Sequence, residues 1–320
     1  MIIKYGIENN SVDVTEICLT KLNNNNIITI PSQDNNRGII FSDHLLGVLK
    51  KIFIIINELT IEYDYYYTIN IDILNNSIST VNHNDNSIIN IIHTDETLKT
   101  LHYKLTNNNE KLKSLHSKLK IMYGNFNEEL PEQKMAVRYL NGCEKVLEIG
   151  GNIGRNTLII ASLLQNDNNF LTLECDSDSA DKLKENRDLN NLHFHIEKSA
   201  LSNRKLIQRG WDTIPSDTLI EGYNWVNTIT LSELKTKYNI DFDTLVLDCE
   251  GAFYYILIDM PEILNNINLI IMENDYFEIS KKNYVDEILL KNNFSVDYTQ
   301  CGGWGCCYHN FFEVWKKSSV

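Results

Sequence analysis

The sequence lacks any apolar stretch of the length that crosses a membrane. A membrane-spanning helix needs about 20 predominantly apolar residues. The best run here, Ile52 to Ile56, is short and follows Lys50 and Lys51. The first residues, Met1 to Lys4, are not followed by the apolar core and cleavage site of a signal peptide. We therefore expect a cytoplasmic protein with no membrane partner.

Positive charge is also scarce. The 320 residues include 29 Lys and Arg against 43 Asp and Glu, which gives a net charge of −14. An acidic surface repels nucleic-acid phosphates unless a local basic groove overrides it. Nucleic acid is therefore not an expected partner.

The cysteines show no pattern of pairing. There are seven of them, an odd and scattered number that suits reduced thiols better than a disulfide framework. Near the C terminus, Cys301, Cys306, Cys307 and His309 lack the Cys-x-x-Cys pair of a typical zinc site. We interpret this segment as a loop of small residues.

Residues 1 to 95 carry strand-length apolar, β-branched and aromatic runs separated by Asn-rich segments. This pattern predicts a β-rich module, whose role the sequence does not reveal. Strands are predicted at Val12 to Leu19 and at Ile61 to Ile73, among others. The segment from Ser42 to Leu49 is predicted to form one short helix.

Residues 96 to 130 are predicted to form a helical connector. Apolar residues recur at alternating three- and four-residue steps from Leu98 to Met122, which is typical of a long helix. The expected g positions hold only lysine and the e positions hold no acid, so a parallel dimer would gain no ion pairs. Two interpretations stay open. One is a connecting helix packed on an acidic body, and the other is a homodimer through this helix or the N-terminal module.

From residue 131 to 320, predicted helices alternate with buried strands, which indicates a parallel α/β sheet. The last two predicted strands, Phe294 to Gln300 and His309 to Trp315, form a hairpin and so add an antiparallel edge. The predicted fold is a Rossmann-like, seven-stranded α/β sheet with an antiparallel terminal hairpin, preceded by the smaller β-rich N-terminal domain.

The first strand of this domain enters a helix through a glycine-rich turn, Gly150 to Gly154. The dinucleotide fingerprint Gly-x-Gly-x-x-Gly fails here, because Asn152 and Arg155 occupy its second and third glycine positions. Glu148, two residues before the turn, suits a cationic amino-acid group, and we expect it to hold an ammonium directly or through water.

The second strand of the domain ends at Glu174, about 20 residues beyond Gly154, where an acid accepts hydrogen bonds from ribose hydroxyls. Turn, preceding acid, ribose acid and terminal hairpin together indicate an S-adenosylmethionine site. The expected cofactor residues are Glu148, Gly150, Gly151, Asn152, Gly154, Asn156, Thr157, Glu174, Cys175, Ser199, Ala200 and Asp248.

Polar residues follow the fourth and fifth strands, at the sheet edge where open α/β folds bind ligands. Asp248 and Glu250 are both candidate bases for a hydroxyl proton, and His309 is a third candidate. Asp248, Glu273 and Asn274 all offer oxygen ligands to Mg²⁺, Ca²⁺ or another divalent cation that would chelate a sugar diol. Alternatively, the acids cap helices.

Residues of about 130 to 316 resemble the FkbM family of S-adenosylmethionine-dependent methyltransferases. The matched motif positions are Glu148, Gly150, Asn152 and Gly154, then Glu174-Cys175, Asn186, and finally Asp248, Glu250 and Gly251. The departures are Glu148 for Asp, Gly151 for Ala, Cys175 for Pro, and Phe253 where many members carry a second acid. Members of the family generally O-methylate sugars or polyketide-type hydroxyls, so the resemblance implies an O-methyltransferase. We predict that its acceptor is a hydroxyl of a sugar, nucleotide-sugar or glycan.

Two alternative functions are weighed beside this one. An RNA cap ribose 2'-O-methyltransferase would use a Lys-Asp-Lys-Glu tetrad, which is not found around Asp248. A catalytically silent scaffold would keep the fold for assembly alone.

The aromatic-containing insertion from Gln208 to Asn227 is expected to form a substrate lid or to pack on itself. The N-terminal module, with Asn36 to Gly38 and Asp43 to Gly47, faintly resembles those of large DNA virus proteins, for which the compartment would be the host cytoplasm or a virus factory.

Overall fold

The computed structural model describes residues 1–8, 10–56, 59–74, 77–83, 88–92, 97–300 and 302–318. The chain divides into two compact units, residues 1–109 and residues 110–320. The three-part division at residues 95 and 130 stays a prediction. In the part of the chain that the structure describes, no helix has both the length and the apolar character of a membrane span.

Up to residue 92, the described part of the first unit contains two antiparallel sheets and two short helices. One sheet has the order β2-β1-β5-β6 and the other β3-β4-β7-β8-β9. The strands are β1 (Ile2–Ile7), β2 (Asn10–Asp13), β3 (Asn23–Asn24), β4 (Ile27–Ile30), β5 (Lys51–Ile56), β6 (Leu59–Tyr63), β7 (Tyr67–Asp72), β8 (Ser77–Asn82) and β9 (Ile88–Ile92). The helices are α1 (Thr15–Lys21) and α2 (Asp34–Phe41). Isoleucines alternating along these strands, such as Ile28, Ile54 and Ile71, form the core of the unit.

The predicted strand from Val12 to Leu19 is wrong, because β2 ends at Asp13 and α1 begins at Thr15. Thr15, Cys18 and Leu19 are buried, and this spacing of three and four residues is that of one helix face. The predicted strand from Ile61 to Ile73 is divided in two by a turn between β6 and β7.

The predicted helix from Ser42 to Leu49 is also wrong. The helix is α2, which ends at Phe41. The ammonium of the buried Lys50 donates to the carbonyls of Leu45 and Val48 at 3.2 and 2.7 Å, and it forms an ion pair with the carboxylate of Asp43 at 2.8 Å. The segment therefore folds into turns around this ammonium, and the amide of Val48 donates to the carbonyl of Leu45 at 3.1 Å.

Helix α3 (Thr97–Lys118) covers most of the predicted connector but ends four residues before Met122. Leu112 is buried against Val137 and Ile159, and His116 Nε2 lies 2.7 Å from Gln133 Oε1. This part of the apolar face is therefore covered within the second unit, as the connecting-helix interpretation expects. The homodimer stays a prediction.

The second unit is built on a seven-stranded sheet of order β12-β11-β10-β18-β19-β21-β20. Its strands are β10 (Val146–Ile149), β11 (Phe170–Leu173), β12 (His195–Glu197), β18 (Thr244–Leu247), β19 (Leu269–Glu273), β20 (Phe294–Gln300) and β21 (Phe312–Lys317). Its helices are α4 (Leu130–Tyr139), α5 (Arg155–Leu163), α6 (Ser177–Leu189), α7 (Leu231–Tyr238), α8 (Ala252–Asp259) and α9 (Ile279–Lys291).

Six of the seven strands run parallel, and β21 pairs antiparallel with both β19 and β20. The predicted seven-stranded sheet with an antiparallel hairpin is thus confirmed. The chain leaves β10 towards β11 and β12, then returns on the other side of β10 to form β18. Such a reversal opens a crevice at the carboxyl ends of the two central strands, where ligands bind.

The insertion after β12 is an ordered structure. A short pair, β13 (Ala200–Leu201) with β17 (Thr228–Ile229), closes its base. Between them lies a three-stranded antiparallel sheet of β14 (Leu206–Arg209), β15 (Asp212–Pro215) and β16 (Asn224–Val226). The tight turn between β14 and β15 presents Trp211, whose side chain is exposed.

Candidate functional site

A cavity of about 640 Å³ opens in the second unit at the carboxyl ends of β10, β11 and β18. The insertion sheet contributes Trp211 to one side of it, and α8 contributes Tyr255. The predicted site residues that line the cavity are Gly150, Asn152, Glu174, Cys175, Ser199, Ala200, Asp248, Glu250 and Glu273. The sequence therefore predicts residues at five separate strand ends that the fold brings to one cavity.

The glycine-rich turn is held against its neighbours by the backbone. The amides of Gly150 and Gly151 donate to the carbonyl of Leu173 at 2.9 and 3.0 Å. Gly150 has a φ of +96°, and a Cβ there would fall 1.6 Å from the carbonyl oxygen of Asp248. Only glycine fits this position, because the turn passes directly between the ends of β11 and β18.

Glu174 fastens the same turn from the end of β11. Its Oε2 accepts from the amide of Asn152 at 2.8 Å, and its Oε1 accepts from the amide of Asp176 at 2.7 Å. A carboxylate oxygen has more than one lone pair, so Glu174 retains acceptor capacity towards the cavity that it lines. Its burial raises the pKa above the usual value.

Glu148 does not line the cavity, contrary to the sequence interpretation. Successive strand side chains point to opposite faces, and Ile149 lines the cavity while Glu148 is buried towards α5. There its Oε2 accepts from the hydroxyl of Thr157 at 2.7 Å. A direct contact between Glu148 and a bound ammonium does not fit this placement.

The remaining predicted residues of the turn also lie behind the cavity wall. Gly151, Gly154, Asn156 and Thr157 are absent from the described lining. A Cβ at Gly151 would approach Thr172 Oγ1 to 2.2 Å, and one at Gly154 would approach Leu183 to 2.5 Å. These positions shape the turn and pack it on β11 and α6.

The buried Glu148 has a consequence for stability. Burial raises its pKa to about 8, whereas glutamate in an unfolded chain titrates near pH 4.3. Between these values the folded state keeps a proton that the unfolded state has lost, so the free energy of unfolding falls as pH rises. The expected slope is about 1.4 kcal/mol per pH unit.

We expect Glu148→Gln to remove this slope, because glutamine still offers Thr157 an acceptor but does not ionise. The variant should be more stable than the wild type at pH 8 and lose that advantage towards pH 5. Urea unfolding at several pH values measures both proteins. Parallel stability curves for the two would contradict the assignment.

Asn186, a position matched in the family resemblance, joins the turn to the segment after α3. It is fully buried. Its Nδ2 donates to the carbonyl of Ile153 at 2.8 Å, and its Oδ1 accepts from the amide of Met122 at 2.7 Å. Asn186 therefore positions the turn from behind and does not itself face the cavity.

Ser199 and Ala200 line the cavity directly after β12, as predicted. The hydroxyl of Ser199 donates to Glu197 Oε1 at 2.9 Å, and the amide of Ala200 donates to the carbonyl of Asn227. These polar groups are thus hydrogen-bonded within the protein, so Ser199 and Ala200 contribute to the shape of the cavity wall and not to its hydrogen bonding.

Asp248 and Glu273 meet at the deep end of the cavity together with a residue that the sequence interpretation missed, Glu132. Oxygen atoms of these three carboxylates lie within 4.8 Å of one another. Glu132 belongs to α4, and it is buried beside Gln133 and Met135. An acid on the buried face of this amphipathic helix is the signal that would have found it.

The predicted third metal ligand, Asn274, is not part of this group. Its side chain is fully buried and its Nδ2 donates to the carbonyl of Asn310 at 2.6 Å. Its backbone amide donates to the carbonyl of Phe311. Asn274 therefore anchors the loop before β21 and lies outside the described cavity wall, so Glu132 replaces it beside Asp248 and Glu273.

The charge of this region is strongly one-sided. Burial and then the neighbouring Glu129 and Asp275 raise the pKa of Asp248, and burial and then Asp248 raise the pKa of Glu273. The acidic residues of the described lining are Glu129, Glu132, Glu174, Asp176, Asp248, Glu250, Asp259 and Glu273. The one basic residue of that lining is Arg204, which binds Asp259 at 2.6 and 2.7 Å.

The three candidate bases differ in their placement. Asp248 is half-buried among other acids, whereas Glu250 is exposed and lines the cavity at a φ of +50°. Burial raises the pKa of Glu250. The side chain of His309 lies outside the described residues, and its backbone belongs to the 3-10 helix Gly305–Asn310 and not to the predicted strand.

No family model matches the chain, and no curated protein matches it. The chain is similar to a putative O-methyltransferase from Klebsiella pneumoniae, at 16% identity, a TM-score of 0.37 and coverage of 68% of this chain and 90% of that one. It is also similar to the O-methyltransferase from Bacillus cereus in complex with SAH, at 15% identity and a TM-score of 0.37. That match covers 67% of this chain and 91% of the other. The ribosomal protein L11 methylase from Lactobacillus delbrueckii subsp. bulgaricus is similar at 13% identity and a TM-score of 0.38, and the match covers 62% of this chain and 82% of that one.

These likenesses are distant, and the assignment of a function therefore depends on the site itself. The resemblance to the FkbM family stays a prediction.

Proposed function

We propose that the second unit transfers a methyl group from S-adenosylmethionine to a hydroxyl group of a neutral sugar or glycan. The observation that carries the proposal is the cavity at the reversal point between β10 and β18. There the glycine turn, Glu174 and the acids after β18 and β19 line one space of about 640 Å³. This volume lies within the range of small-molecule sites, roughly 300–1,000 Å³.

The residues of the cavity fit the chemistry of S-adenosylmethionine. The cofactor carries a sulfonium and an ammonium, and the wall offers carboxylates with few competing cations. Glu174 would accept from the ribose hydroxyls with the lone pairs that the amides of Asn152 and Asp176 leave free. Gly150, Cys175, Ser199 and Ala200 would pack beside the cofactor. The bound cofactor supplies an electrophilic methyl group with a thioether as the leaving group.

Glu250 is the residue that we propose as the base. Its side chain is accessible from the cavity. Partial desolvation there raises its pKa, which makes the carboxylate a better proton acceptor. Glu250 would take up the proton of the acceptor hydroxyl as that oxygen receives the methyl group, and the thioether would be the leaving group. The protein contributes mainly by holding the hydroxyl in line with the methyl group.

The charge of the cavity selects among acceptors. Eight acids face one arginine that is already bound to Asp259, so in the metal-free cavity the phosphates of a nucleotide-sugar or of capped RNA would be repelled. A neutral sugar meets no such penalty. Trp211 at the cavity wall offers an aromatic face to a sugar ring.

Transfer of labelled methyl groups from S-adenosylmethionine to a panel of acceptors tests this proposal. With a chelator present, so that no divalent cation offsets the acidic wall, we expect neutral glycosides to be methylated and a nucleotide diphosphate sugar carrying the same sugar to be at least tenfold poorer in kcat/KM. Preference for the diphosphate or for capped RNA would contradict the acceptor class. Cofactor binding without transfer to any acceptor would favour the scaffold alternative.

Trp211→Ala adds a sharper readout, because the side chain is exposed and its loss leaves the core intact. If it stacks on the acceptor, KM for the glycoside rises several-fold with little change in kcat, since a stacked aromatic contributes about 1 kcal/mol. Trp225→Ala, at another exposed tryptophan of the same small sheet, is the matched control. An unchanged KM in the Trp211 variant would remove this residue from the acceptor site.

A further inference from the structure

We propose that Glu132, Asp248 and Glu273 together bind one divalent cation of the Mg²⁺ or Mn²⁺ type. The site lies in the cavity assigned to methyl transfer, and the suggested use of the cation rests on that function. Binding of the cation itself does not, because the three carboxylates form the site without cofactor or acceptor.

The geometry places three hard oxygen ligands on three separate elements. Glu132 lies on α4, Asp248 follows β18, and Glu273 ends β19. Their oxygen atoms fall within 4.8 Å of one another. Oxygens bound to one Mg²⁺ or Ca²⁺ ion at about 2.0–2.6 Å lie up to roughly 4–5 Å apart. Small side-chain movements therefore suffice to bring all three onto one ion.

A second observation, separate from the clustering, points to a missing partner. Glu132 is 7% exposed, and its Oε2 is buried with no hydrogen-bond donor among the described residues. The side-chain contact that Glu132 does make is with another carboxyl group, that of Glu273. Buried carboxylate oxygens are normally hydrogen-bonded or bound to a cation. The unpartnered oxygen belongs to a side chain that faces the cavity beside two further carboxylates.

No side chain of the described cavity wall supplies the missing positive charge. Arg204 donates from Nε and Nη2 to the two carboxylate oxygens of Asp259. Arg155, near Glu129, is bound to Glu128 and Glu129 at 2.5 and 2.8 Å. The group of Glu132, Asp248 and Glu273 is thus left either to share protons or to bind an external cation.

The ligand set also differs from the one that the sequence suggests. Asn274 is committed to the carbonyl of Asn310, and the third ligand comes from α4, which precedes the glycine turn by more than ten residues. Three carboxylates leave about half of an octahedral shell open. Two neighbouring hydroxyls of a sugar would fill adjacent open positions, which would fix the hydroxyl to be methylated near Glu250.

Titration of the full chain with Mn²⁺, followed by the electron paramagnetic resonance signal of the free ion, tests the site without cofactor or acceptor. We expect one Mn²⁺ per chain, displaced by excess Mg²⁺. Glu132→Gln should weaken binding at least tenfold, and Glu262→Gln, at an exposed acid outside the described cavity wall, should change it less than twofold.

Failure of the wild type to bind Mn²⁺ would overturn the proposal in favour of shared protons. Equal binding by the wild type and Glu132→Gln would also overturn it. If Glu132→Gln fails to fold by circular dichroism, Glu273→Gln takes its place with the same expectation. Calorimetric binding of S-adenosylmethionine in the presence of a chelator is measured in parallel, so that loss of the cation site and loss of the cofactor site are told apart.

Discussion

Replacing Gly150 with alanine should abolish cofactor binding, with an expected loss of affinity of at least 100-fold. The new Cβ would lie 1.6 Å from the carbonyl oxygen of Asp248 at a φ of +96°. Backbone atoms cannot yield as a flexible side chain does, so the turn must move away from β18. That movement would disturb the amides that Leu173 and Glu174 hold in place.

Gly47→Ala is the matched control for this variant. Gly47 also has a positive φ, +77°, but no atom lies within 4 Å of the position that its Cβ would take. Both variants carry the backbone cost of alanine in this conformation, about 1 kcal/mol, and only Gly150→Ala carries the clash. Calorimetric titration with S-adenosylhomocysteine compares them. Wild-type affinity in a folded Gly150→Ala protein would show that the turn is not the cofactor site.

Glu250→Gln should reduce kcat by about 10²- to 10⁴-fold, the usual contribution of a general base. Glutamine keeps the size of the side chain but does not accept the hydroxyl proton. Because the fold and the turn are unchanged, affinity for S-adenosylhomocysteine should remain within twofold. Glu262→Gln, at an exposed acid on the 3-10 helix Pro261–Leu264, serves as the control.

The pH dependence gives Glu250→Gln a second readout. A base acts in its ionised form, so wild-type kcat should rise with pH through the raised pKa of Glu250 and then level off. The residual activity of the variant should lack this rise. A variant with wild-type kcat, or with the same rise, would transfer the role of base to Asp248 or His309.

The architecture of the second unit is predictable from sequence because its central strands are buried on both faces. β10, β11 and β18 are buried throughout, and such strands appear as short apolar runs between amphipathic helices. The Gly-rich loop before β21 marks the final hairpin in the same direct way. Strand ends followed by Glu174, Asp248 and Glu273 are then placed at one sheet edge by topology alone.

The first unit is less predictable, because buried polar groups control its turns. Asn35 and Asn36 read as loop residues in the sequence, yet they lie in α2. The helix is held there by Arg37, which donates to the carbonyls of Pro31 and Tyr67 at 2.8 and 2.7 Å. Such contacts leave no periodic signal in the sequence, so the predicted helix begins eight residues after the start of α2.

In the site, motif spacing does not show to which face of the sheet a strand residue points. Glu148 occupies the position of a motif acid but faces α5, where it binds Thr157. Glu132 enters from a helix with no motif around it, and only the packing of α4 brings it to Asp248. Motif positions identify the strand ends, whereas contacts between elements decide which side chains face the cavity.

Calorimetric titration of the purified chain with S-adenosylmethionine and S-adenosylhomocysteine, with and without Mg²⁺, tests the central claim most directly. The account predicts binding of both at micromolar concentrations and its loss in Glu174→Ala, since that residue both fastens the turn and faces the cavity. Absence of binding by a folded wild-type protein, under either condition, would contradict the assignment of this cavity to methyl transfer.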